Sequence, residues 1–178
     1  MIDFSRNHFE LFGLPARFRC DTAALDRAYR TLQTEVHPDR FAAAGEGERR
    51  IALQSSAHVN EAYRALKDPV SRAQYLLSLR GIDALAETDT ALAIDFLERQ
   101  LERREAAADA VAARDARTLD AIVAGVHAEI RDREAVLGEL IDGAAAYEPA
   151  RGAVRELRFL TKLAADLDDA LGVLEDGA

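Results

Sequence analysis

Glu35-Val36-His37-Pro38-Asp39-Arg40-Phe41 is the stretch whose reading decides the fold. Upstream of it, Leu25, Tyr29, Leu32 and Val36 recur at helical spacing and share one face. Pro38 stops that helix, because its ring disfavours the αR conformation at His37 and it has no N–H to donate. A histidine and an aspartate are thereby held on a short, stiff turn. Asp21 is the expected N-cap, so the helix spans Asp21 to His37. Arg27 and Arg30 fall on the face away from the apolar stripe, and His37 projects to that side. Turn and arginines therefore form one exposed basic patch.

Working outward, a first helix is expected from about Ser5 or Arg6 to Phe12, closed by Gly13 and Pro15. Beyond the turn, Ala42 to Glu48 reads as loop at its glycines, and a long helix runs from about Glu48 to Lys67. Its inward stripe is Ala52, Ser55, Val59, Ala62 and Leu66. Asp68-Pro69 ends it, and Val70 to Arg80 forms a further helix stopped by Gly81. The helices on either side of the turn make an antiparallel hairpin, with Asn60 to Leu66 and Tyr75 as its supporting residues.

Residues 1–80 thus form one domain and 81–90, without periodicity, a linker. Residues 91–178 carry three more helical patterns. The first, about Thr90 to Ala113, has Ile94, Leu97, Leu101, Ala108 and Val111 on one face, expected to be buried. The second, from an Asp115 cap to about Ile141, uses Leu119, Ile122, Val126, Ile130, Leu137 and Leu140. The third opens at Pro149 and carries Val154, Leu157, Leu160, Ala164, Leu167, Leu171 and Leu174. Each alone would expose its leucines; an antiparallel three-helix bundle buries them. The predicted fold is all-α.

Composition agrees: 49% hydrophobic but only 6% aromatic, without Trp, favours helices over sheets. No apolar run approaches the roughly 18 residues that span a bilayer, and the N-terminus lacks a signal pattern. A soluble protein is expected, in a bacterial cytoplasm rather than a mitochondrial matrix. The single Cys20 excludes an internal disulfide and a cysteine metal cage, and the four histidines are scattered, so neither metal nor cofactor is expected. The net charge of −9 is unevenly spread, at +2 over residues 1–80 and −11 over the remainder. So acidic a half makes nucleic acid a poor partner, and two differently charged halves suit two different partners.

Two constellations stand out. His37 and Asp39 are the residue types of a general base and its orienting acid, yet no nucleophile elbow, second histidine or phosphate loop completes an enzyme site. In the second domain, Glu98, Glu102, Glu105 and Asp109, spaced four, three and four apart, form an acidic stripe bordering Leu97 and Leu101. Phe159 lies about 100° from Leu160 around its helix. At the flank of the leucine seam it serves either the core or a partner.

The turn, preceded by Tyr29-Arg30-x-Leu32 and followed by Asn60-Glu61-Ala62-Tyr63-Arg64-Ala65-Leu66, resembles the His-Pro-Asp loop of J domains. Leu11-Phe12-Gly13-Leu14-Pro15, Arg72-Ala73-Gln74-Tyr75-Leu76-Leu77 and Phe96-Leu97 with Gln100-Leu101-Glu102 extend the resemblance over nearly the whole chain, to the HscB-type co-chaperones of iron–sulfur cluster assembly. That resemblance implies that His37, Pro38, Asp39 and Arg40, with Arg27 and Arg30, contact the DnaK-type ATPase HscA and stimulate it. It further implies that Leu97, Glu98, Leu101, Glu102, Glu105, Asp109 and Phe159 hold the scaffold protein IscU. Glu98 stands where the family often has Met, and Asp109 shortens a Glu. The chain would hydrolyse nothing itself. A general J protein for unfolded clients is the alternative, but the Gly/Phe-rich or zinc-binding client region usual in that class is missing from the sequence.

Overall fold

A computed structural model describes residues 3–41, 44–86 and 92–176. Among them every regular element is helical, and the chain divides into two compact units, up to Leu79 and from Arg80 onward. Residues 87–90 of the expected linker, and the helix start expected near Thr90, lie outside the described residues, as do Ala42 and Ala43 of the expected loop.

The first unit holds α1 (His8–Leu11), α2 (Thr22–Val36), a 3₁₀ turn (Pro38–Phe41), α3 (Glu46–Lys67) and α4 (Pro69–Ser78). α1 is shorter than the apolar pattern suggests, because Asn7 caps it. The Asn7 side chain accepts from the Glu10 amide, and the Glu10 carboxylate accepts in return from Asn7 N–H. Gly13, at φ +65°, then takes the left-handed turn that closes it. Asp21 caps α2 through the Ala24 amide, as expected. Asp68 serves two helices at once: it terminates α3 while its carboxylate accepts from Ser71 N–H at the start of α4, with Pro69 in the first turn.

α2 and α3 form the hairpin. Leu25 and Val36 on one side, and Ala52, Ser55, Val59, Ala62 and Leu66 on the other, are buried as their spacing predicts. Polar pairs fix the register. The Tyr29 hydroxyl donates to Asn60 (2.9 Å), Gln33 donates to the same oxygen, and Tyr63 and Lys67 both donate to Asp26 (2.9 and 2.7 Å). The Tyr29 and Tyr63 rings stack at 4.0 Å. α1 is tied down by the His8 amide donating to the Tyr75 hydroxyl, by the His8 ring stacked at 4.1 Å on Tyr75, and by Phe9, fully buried.

This clasp carries a pH dependence. His8 Nδ1 and His58 Nε2 are buried without a hydrogen-bond partner among the described residues. Burial holds the His8 imidazole below its ordinary value; the neighbouring His58 adds to the effect, and Glu61 opposes it. A histidine lowered in the folded state contributes its full stability above the unfolded value, about pH 6.5, and loses it as pH falls through the folded value. Urea denaturation is therefore expected to show a less stable first unit at pH 5 than at pH 7.5. His8→Phe should shrink that difference; an undiminished difference in the variant would assign it to other groups.

The second unit holds α5 (Ile94–Ala112), α6 (Ala116–Gly138), a π-helical turn (Glu139–Gly143) and α7 (Tyr147–Asp176). α6 is capped by Asp115, which accepts from the Thr118 amide. It ends three residues before Ile141, in the π turn. α7 begins two residues ahead of Pro149, which falls in its first turn. Leu119, Val126 and Leu137 of α6, and Val154, Leu157, Leu160, Ala164 and Leu167 of α7, are buried as expected.

α5 departs from expectation. The face carrying Ile94, Leu97, Leu101, Ala108 and Val111 is not the buried one: Ile94 is 74%, Leu101 59% and Leu97 43% exposed. α5 instead buries Phe96, Gln100, Ala107 and Ala110. The alanines let it approach α6 and α7 closely, and Phe96 joins the cluster of Leu119, Val123, Val126, Leu160 and Leu163. Two polar side chains on this face are partnered from within the bundle, although Gln100 Nε2 is buried without a hydrogen bond among the described residues. Arg103 donates to Gln100 (2.9 Å) and pairs with Glu129 of α6 (2.7 Å). Arg133 of α6 pairs with Glu156 of α7 at 2.8 Å. Gly81 to Ala86, at the start of the expected linker, cluster with this unit, as does Arg80 from the end of the expected first domain; Ala84 is fully buried and its carbonyl accepts from Arg155.

Candidate functional site

The first unit's site is the turn. His37 leaves the helix with φ −59° and ψ +127°, the extended conformation that a following proline imposes. The Arg40 amide donates to the His37 carbonyl at 3.1 Å and closes the turn. The Arg40 guanidinium reaches back to the Thr34 carbonyl (3.1 Å), one of the orphan acceptors in the last turn of α2. His37 Nδ1 accepts from the Asp39 amide at 3.3 Å and lies 3.6 Å from the Asp39 carboxylate. In the neutral ring the proton then sits on Nε2, which is left as a donor. Both side chains face solvent, His37 at 54% and Asp39 at 90% exposure. Arg27, Arg30 and Arg40 are exposed as well. A pair this open is well placed to be grasped by a partner.

The second unit's site is the outward surface of α5. Leu97 and Leu101 are uncovered, with Ile94 beside them. Glu98, Glu102, Glu105 and Asp109 are all exposed on the adjoining face. Phe159 of α7 is half-buried: it meets Phe96 edge-to-face at 5.6 Å, and the Arg104 guanidinium lies 5.3 Å from its ring centroid. It is therefore part of the core cluster and still reachable at its edge. Six of the seven residues singled out on this unit are thus exposed and Phe159 is partly so, through a different inward face of α5 from the one its pattern suggests.

Some participants escaped the sequence reading. Arg104 against Phe159, and Arg155, Arg158 and Lys162 around it, border the same surface. Their signal was present, since Arg155, Arg158 and Lys162 fall at helical spacing next to Phe159 in an otherwise acidic half. Cys20 is half-buried; burial pushes its thiol up, opposite to the shift a reactive cysteine needs. Among the described residues, no helix is long and apolar enough to cross a membrane.

Two families cover these two units. Residues 7–75 match the DnaJ domain, and residues 93–168 match the HSCB C-terminal oligomerisation domain. The chain is 52% identical over 168 residues to the co-chaperone protein HscB homolog of Cupriavidus taiwanensis, covering 94% of this chain and 95% of that one. To the homolog of Burkholderia vietnamiensis it is 50% identical, covering 98% and 99%. In three dimensions it is similar to the chaperone HscB from Vibrio cholerae, with a TM-score of 0.85 at 37% identity over 95% of this chain and 99% of that one. The human co-chaperone protein HscB superposes with a TM-score of 0.87 at 29% identity, over 94% and 83%.

Proposed function

The chain belongs to the HscB family of J-domain co-chaperones, and from that premise we propose that it delivers the iron–sulfur scaffold IscU to the DnaK-type chaperone HscA and stimulates HscA's ATPase. A DnaK-type partner goes with the family; HscA and IscU are the specific partners of this reading. The observation that carries it is the presence, on separate units, of two unlike uncovered surfaces. One is a rigid His37–Asp39 turn among arginines, the other an apolar strip, Leu97 and Leu101, flanked by acids.

The turn, with Arg27, Arg30 and Arg40, docks on an acidic surface of the ATPase. It binds the hydrolysis-competent arrangement more tightly than the resting one, so the population shifts toward hydrolysis. The nucleotide site and its catalytic groups belong to the partner. The second unit holds IscU through Leu97, Leu101 and Phe159, with Glu98, Glu102, Glu105 and Asp109 setting orientation. Holding the client beside the ATPase raises its effective concentration without new client–chaperone contacts. The reading places this exchange in a bacterial cytoplasm, in keeping with the bacterial relatives.

The test is steady-state ATP hydrolysis by HscA with this protein and IscU, singly and together. Stimulation by the protein alone, amplified when IscU is added, is the expected outcome. Equal stimulation of any DnaK-type ATPase, indifferent to IscU, would make it a general J protein. Hydrolysis without a partner ATPase would make it an enzyme.

A further inference from the structure

Beside Phe159 a recess of about 240 Å³ opens within the second unit, walled by Leu85, Leu92, Arg155, Arg158, Phe159 and Lys162. Its chemistry is unlike that of its surroundings. The half that contains it carries a net charge of −11, yet three cations converge here and a fourth, Arg104, lies against Phe159. Arg155 is anchored, its Nε donating to the Ala84 carbonyl at 3.0 Å. Arg158 and Lys162 are exposed, one turn apart on α7, and neither has an ion-pair partner among the described residues. Counter-charge is available elsewhere on the unit: Arg103 and Arg133 are both paired with glutamates. Arg158 and Lys162, in contrast, stand side by side, unpaired among the described residues, at the mouth of an apolar recess.

The position of the recess is equally specific. Around α5, at about 100° per residue, Arg104 lies on one side of the Leu97–Leu101 strip and the Glu98, Glu102, Glu105, Asp109 stripe on the other. The uncovered surface is therefore bipolar, with acids on one flank, leucines in the middle, and Phe159 with its cations on the other flank. We infer that Arg158 and Lys162 receive a carboxylate of the scaffold partner, carried on a segment whose neighbouring apolar side chain enters the recess against Phe159, Leu85 and Leu92. The inference rests on the proposed scaffold binding and adds the partner's polarity to it. The scaffold must present an acidic–apolar pair at one edge of its contact and cations at the other. In the reversed orientation like charges would face each other at both flanks, which sets a single docking direction.

The experiment is isothermal titration and stopped-flow association of IscU with the full-length protein and its variants. Arg158→Glu with Lys162→Glu is expected to weaken binding roughly tenfold or more, mainly by slowing association, because the charges lie at the rim of the contact. Arg158→Gln with Lys162→Gln should produce a smaller loss in the same direction. Arg131→Glu, equally exposed on α6, should leave binding unchanged. All variants should keep the wild-type melting temperature, since neither cation is buried. If the wild type does not bind IscU, the proposed function itself fails. If the wild type binds and the double Glu variant binds within about twofold of it, or Arg131→Glu weakens binding as much, the inference is overturned while scaffold binding stands.

Discussion

His37→Gln should bring HscA hydrolysis, measured with saturating co-chaperone, down to less than about a tenth of the wild-type stimulation. That figure corresponds to losing about 1.4 kcal/mol of differential affinity between the two chaperone states. The reason lies in the turn's geometry. The imidazole is more than half exposed and packs against nothing that supports the fold, so its removal leaves the first unit intact. Yet its Nδ1 is occupied by the Asp39 amide, so the ring stands in one orientation with Nε2 as its donor. A glutamine side chain is more flexible and lacks that internal tether, so it pays more entropy to make the same contact. Circular dichroism and thermal unfolding should match the wild type. A variant that stimulates as well as the wild type would remove His37 from the mechanism.

The second prediction separates partner contact from bundle stability on one helix. Leu97→Ala with Leu101→Ala should weaken IscU binding by about 2–4 kcal/mol, as hot-spot truncations do. Their exposure means that folding stability should change by less than about 0.5 kcal/mol. Phe96→Ala, one residue away, should do the opposite. Its side chain is 1% exposed and lies within the bundle cluster, so truncation should cost about 3–5 kcal/mol of stability. Binding would then fall only as far as the second unit unfolds. Phe159→Ala stands between them, losing the edge-to-face contact with Phe96 as well as any partner contact. Urea unfolding beside titration with IscU reads both quantities. If the two leucines prove to stabilise the bundle as Phe96 does, the strip is core and the scaffold must sit elsewhere.

Much of the architecture was legible because it is local. The end of α2 at Pro38 follows from one ring and one missing N–H, and Asp21 and Asp115, the expected caps, each accept from an amide three residues on. The stripe of α3 comes out buried, and those of α2, α6 and α7 buried or partly buried, as their spacing indicates, because each of these helices has a dominant apolar face. α1 came out shorter than its apolar pattern because a capping box, a specific pair of hydrogen bonds, outranks the pattern.

α5 is where local reasoning ended. It offers two faces, one with Ile94, Leu97 and Leu101, the other with Phe96, Ala107 and Ala110 interrupted by Gln100 and Arg103. By hydrophobicity alone the first wins. The bundle chooses the second, since small alanines allow close helix approach and Glu129, twenty-six residues beyond Arg103, neutralises the arginine that spoils the pattern. The sequence by itself determined which segments are helical, the caps at Asp21 and Asp115, and the turn at Pro38. Only the tertiary structure decided which side of α5 stays in water, because that depends on how neighbouring helices fit and pair, and periodicity along one helix carries no record of its neighbours.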